Sequence, residues 1–113
     1  VVHAHGNPLD LRRILDYPCE VLSWSDRLPG NASIREVRAM TDRCLMGGVD
    51  ESKLHEKSLP EIRAEVADAI AQAGGSRNFI LSPGCNVAPG TALRILACLR
   101  QAGRDAGQAA GAA

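Results

Sequence analysis

The chain has 113 residues, a formal net charge of zero and four cysteines with no C-x-x-C pair. That length suits one small domain. The charge balance offers no basic field for nucleic acid or an anionic membrane, and one Phe, one Tyr and one Trp make no stacking platform for single strands. No apolar run approaches the ~20 residues of a membrane helix, and no segment resembles a signal peptide. The scattered thiols Cys19, Cys44, Cys85 and Cys98 read as reduced cysteines of a cytoplasmic protein.

The first predicted element is a short apolar strand, Val1 to Ala4. In "NPLDLRRIL", Asn7 can cap a helix, Pro8 fits its first position and Asp10 suits its first turn. A second strand, "EVLSWS", runs near Glu20 to Ser25. "SIRE" is then a capping box of Ser33 and Glu36, followed by an apolar stripe of Ile34, Val37 and Met40. The third strand lies near Arg43 to Gly47. "SLPE" is a second capping box with Pro60 in the first turn; Ile62, Val66 and Ile70 lie four apart. "AGG" at Ala73 to Gly75 ends that helix. A fourth strand, near Asn78 to Ser82, leads to a last helix with Leu93, Leu96 and Leu99 on one side. The tail "GQAAGAA", residues 107–113, reads as disordered.

Apolar strands alternating with capped amphipathic helices predict an α/β fold of right-handed βα units on a parallel sheet. Two architectures compete: a small open doubly wound sheet, and the C-terminal half of a (β/α)₈ barrel, whose full form runs to ~250 residues. A first strand with no preceding polar turn favours the half-barrel. Such a half exposes two parallel edges, so the expectation is that residues preceding Val1 are missing, or that two copies pair their edges as a homodimer.

Ligands in parallel α/β folds sit at the carboxyl ends of the strands, and polar or glycine-rich chemistry follows each strand here. His3 and His5 follow the first, Trp24, Ser25 and Asp26 the second, Gly47 and Gly48 the third, and Cys85 the fourth. Two imidazoles and one thiolate suit tetrahedral zinc with an open fourth position, which lowers the pKa of a bound thiol or water. Hydrogen-bonding histidines beside a buried thiol are the alternative. Asp26 is the candidate catalytic residue, as a substrate hydrogen-bond acceptor or the orienter of a ligating histidine; a loop carboxylate paired with Arg27 is the alternative. Trp24, Ser25, Gly47 and Gly48 are candidate substrate-binding positions. Trp24 equally suits packing, and the glycines a tight turn. Asp50, Glu51 and His55 read as a solvated loop.

The motifs "HAHGN", "VLSWSDR", "LMGGVD" and "FILSPGCNVAPGTALRILACLRQAG" together resemble the C-terminal half of the uroporphyrinogen decarboxylase superfamily, from Val1 to about Gly103. The resemblance implies a (β/α)₈ barrel with its active site at the carboxyl mouth, residues 1–106 forming the last four βα units. The superfamily holds metal-free decarboxylases of uroporphyrinogen, lyases of porphyrin biosynthesis. It also holds methyltransferases that move a methyl group from a corrinoid protein to a thiol such as coenzyme M. The latter carry zinc on an H-x-C pair and a cysteine after the last strand. "SPGC" places Cys85 at that cysteine, and no histidine stands there as in the decarboxylases. "HAHG" places His3 at the first ligand and His5 where cysteine is usual, a departure that histidine's own affinity for zinc accommodates.

The resemblance thus implies a zinc-dependent methyl transfer from methylcobalamin on a partner protein to a small thiol, with His3, His5 and Cys85 as ligands and Asp26 and Trp24 shaping the mouth. The alternatives are a decarboxylase acting on a tetrapyrrole and a non-catalytic fragment. By itself this half-chain is expected to be inactive.

Overall fold

The computed structural model describes residues 1–112. Four strands and four helices alternate: β1 (Val2–Ala4), α1 (Leu11–Leu15), β2 (Val21–Trp24), α2 (Ile34–Arg38), β3 (Cys44–Val49), α3 (Leu59–Ala73), β4 (Phe79–Pro83) and α4 (Leu93–Ala112), with one 3₁₀ turn at Leu54–Glu56. The strands form one parallel sheet in the order β1-β2-β3-β4. That sequential order decides between the two architectures. A doubly wound sheet reverses its strand order at a switch point. Successive right-handed crossovers without reversal place every helix on the same face, as in a barrel. The extents of 38 × 35 × 21 Å are those of a two-layer slab, one sheet and one row of helices.

The register sorts the side chains. Leu22 and Leu45 pair with each other and Leu45 with Phe79, and both leucines are buried against the helix layer. One residue along, His3, Ser23, Met46 and Ile80 form the next row. Alternation sends that row to the opposite face, where Ile80 is left exposed. This second face corresponds to the lumen of a barrel.

Local signals account for α2 and α3. Ser33 Oγ accepts from the Glu36 amide at 3.1 Å, and Ser58 and Glu61 make a complete capping box. Gly74 closes α3 in the left-handed conformation, and Ile62, Val66 and Ile70 are its buried face. Helices α1 and α2 have only 5 residues each and depend on packing rather than propensity.

Four expectations are revised. Helix α1 begins at Leu11, beyond Pro8, because Asn31 captures the turn before it: its side chain accepts from the Leu9 amide and donates to the Gly6 carbonyl, both at 3.0 Å. Met40 lies past the end of α2 and is exposed. In α4 the buried stripe is Ile95, Cys98, Leu99 and Ala102, whereas Leu93 is 82% exposed. Residues 107–112, expected as a disordered tail, continue α4, in keeping with the high helix propensity of their alanines. Residue 113 lies outside the described residues. No helix is long and apolar enough to cross a membrane among the described residues.

Candidate metal centre

The carboxyl ends of β1 and β4 bring together residues distant in sequence. His3, His5 and Cys85 each offer one ligand atom, and these atoms lie within 4.8 Å of one another. Cys85 Sγ is 3.7 Å from His5 Nδ1. Both histidines are exposed and Cys85 is half-buried, so the group borders an open cleft of about 490 Å³ that Ser23, Met46 and Ser82 also line. Ser23, which sequence reasoning did not single out, meets His3 Nδ1 through its Oγ at 3.0 Å. It is His3's partner in the β1–β2 register. A hydrogen bond at Nδ1 fixes the ring and leaves Nε2 as the other nitrogen available for a ligand.

The other predicted residues stand elsewhere. Trp24 is 1% exposed and packs in the core against the helices, its indole N–H donating to the Ala32 carbonyl at 2.8 Å. Gly47 and Gly48 admit protein rather than ligand. A Cβ on Gly47 would stand 2.6 Å from Asp26 Oδ1, and one on Gly48 would stand 2.6 Å from Ala69 Cβ of α3. Ser25 is buried and donates to Glu51 Oε1 at 2.5 Å.

Asp26 is buried beside β3, where its Oδ1 accepts from the Gly48 amide at 2.8 Å. Arg27 lies 3.8 Å from its other oxygen, and that guanidinium also donates to Gly48 O and to Asp68, tying the end of β2 to α3. The hydrogen bond from Arg27 holds Asp68 below the usual carboxylate range. Asp26 moves the other way: burial pushes its pKa up to about 6, against the opposing pull of the Gly48 amide and Arg27, with Glu51 adding a smaller upward push.

A raised carboxyl pKa favours the protonated folded state. The resulting stability is fully present below the unfolded value of 3.8 and is lost as pH rises through about 6. Asp26→Asn removes this dependence, so its stability relative to the parent should improve by about 3 kcal/mol between pH 3.8 and pH 7. Urea unfolding across that range checks this; a constant difference would contradict it.

Glu51, read from sequence as part of a solvated loop, is instead buried, with Oε2 lacking a partner among the described residues. No local pattern marks it, since its neighbours are Ser25, just after β2, and Gly84 in the loop after β4.

Fold and geometry define a parallel βα assembly of barrel type with its polar residues gathered at the strand carboxyl ends, the arrangement of a (β/α)₈ enzyme. The family model described as "Uroporphyrinogen decarboxylase (URO-D)" matches residues 1–106. The chain therefore belongs to the uroporphyrinogen decarboxylase family, a family of enzymes. No curated protein matches it.

Proposed function

We propose that this chain is part of a uroporphyrinogen decarboxylase-superfamily enzyme that transfers a methyl group from a corrinoid carrier to a small thiol, with His3, His5 and Cys85 holding zinc. The observation that carries this reading is the convergence of two imidazoles and one thiol to within 4.8 Å at the strand ends. The donor set fits the metal. Tetrahedral zinc with nitrogen at ~2.0 Å and sulfur at ~2.3 Å separates such ligands by about 3.6 Å, and the Cys85–His5 contact is 3.7 Å. Three protein ligands would leave one of zinc's four positions free for a substrate. When bound, zinc supplies a Lewis acid that keeps a substrate thiol in its nucleophilic thiolate form at neutral pH.

The chain's own residues do the rest. Ser23 orients His3. Met46 and Ser82 border the cleft that receives the thiol. Asp26 holds the β3 backbone through the Gly48 amide, a positioning role in keeping with its burial. The sheet's free edges at β1 and β4 suit closure by further βα units, whether from this protein or a second copy. The four free cysteines accord with a reducing cytoplasm.

The test supplies methylcobalamin and a small thiol to the longest form of the protein that can be expressed, and separately supplies uroporphyrinogen. The expected result is a methylated thiol and no porphyrinogen turnover. Decarboxylation without thiol methylation would replace this reading with that of a metal-free decarboxylase, and neither reaction would favour a non-catalytic role.

A further inference from the structure

Glu51 is a carboxylate 8% exposed, with one oxygen unpartnered among the described residues. Burying a polar group in that state is unfavourable, and a plug serving only stability is better made from apolar residues. Its surroundings point to a different use. Glu51 Oε1 accepts from Ser25 Oγ at 2.5 Å. Gly84, immediately before Cys85, seats directly on this pair: a Cβ there would lie 2.8 Å from Ser25 Cα and 2.9 Å from Glu51 Oε2. The Gly84 amide donates to the Val49 carbonyl at 3.0 Å, fastening the same turn to β3. On the other side, Asn31 donates to the Ser25 carbonyl at 2.9 Å and to the Gly6 carbonyl at 3.0 Å. Gly6 follows His5. The two loops that carry His5 and Cys85, 80 residues apart in sequence, are thereby referred to one buried centre at Ser25.

We infer that Ser25 and Glu51, with Asn31, form a positioning clamp that sets the separation of His5 and Cys85. Glu51 is a positioning residue and lies outside the His3, His5 and Cys85 group. The inference deepens the zinc reading and rests on it for its metal readout, while a second readout is independent of metal. A preset separation spares the ligands the entropy of finding each other, and outer partners of metal ligands typically set about 10- to 100-fold in affinity.

The experiment compares the parent protein with Glu51→Ala, Glu51→Gln and Ser25→Ala. Zinc affinity is measured by competition with a chelator. Labelling of Cys85 by iodoacetamide in metal-free protein is followed by peptide mass mapping, which separates it from Cys19, Cys44 and Cys98. Glu51→Ala and Ser25→Ala should weaken zinc about 10- to 100-fold and speed Cys85 labelling several-fold, while Glu51→Gln, which keeps an acceptor for Ser25, restores both. Should Glu51→Ala fail to fold, Ser25→Ala, which removes only a hydroxyl, gives the same two readouts. A parent that takes up no zinc, with labelling still released by alanine and rescued by glutamine, would remove the zinc reading and uphold the clamp. Parent-like zinc affinity and labelling in both alanine variants, with only Tm lowered, would overturn the clamp.

Discussion

Cys85→Ser should lower thiol methylation by at least about 100-fold, with the fold retained. Cys85 is half-buried at the cleft, and its Sγ is 3.7 Å from His5. No core cluster among the described residues includes it, so the substitution should leave the packing intact. The chemistry changes sharply, because a thiolate is a strong zinc ligand at neutral pH, whereas a serine hydroxyl stays protonated and binds poorly. Cys98→Ser is the matched control: Cys98 packs in the helix layer, its Sγ 3.8 Å from the Leu59 carbonyl, and its loss should leave methylation unchanged. Equal activity of Cys85→Ser and parent in a methylcobalamin–thiol assay would show that Cys85 plays no part in binding metal or substrate.

Gly48→Ala should be the most destabilising single-methyl change in the sheet. Its φ of +100° is a conformation that side chains rarely adopt, and the added Cβ would lie 2.6 Å from Ala69 Cβ and 3.1 Å from Phe79 Cζ. Strain of this kind costs about 1–3 kcal/mol, and overpacking a filled core a similar amount. A combined loss of about 3–4 kcal/mol is therefore expected, a large part of the stability of a small domain. The Asp26 carboxylate would also lose its anchor as the Gly48 amide shifts. Equilibrium urea unfolding measures the loss. A change below about 1 kcal/mol would mean that α3 recedes from β3 at little cost.

Much of the fold was legible because its signals are local. Ser33 with Glu36 and Ser58 with Glu61 announce two helix starts, and Ile62, Val66 and Ile70 mark the face of α3 that is buried. The leucines of α4 misled for a geometric reason. Positions three apart advance about 300° around a helix, so Leu93, Leu96 and Leu99 rotate by about 120° in two steps; Leu99 reaches the core beside Ile95 and Ala102, while Leu93 and Leu96 are exposed. The grouping of His3, His5 and Cys85 was legible because topology places strand carboxyl ends together whatever the register. Ser23 was not, since pairing it with His3 requires the register of β1 against β2. Trp24 shows the same gap from the other side: alternation turns the residue after Ser23 into the helix layer. The late start of α1 and the burial of Glu51 rest on Asn31, Ser25 and Gly84, contacts made between loops far apart in sequence.

The zinc content of the longest expressible form, purified without chelators and compared with Cys85→Ser, tests the central claim most directly. The account predicts about one zinc per chain in the parent and its loss from the variant. Absence of zinc from both, with the parent folded and failing to take up added zinc, would contradict it and leave His3 and His5 as hydrogen-bonding groups at a metal-free mouth.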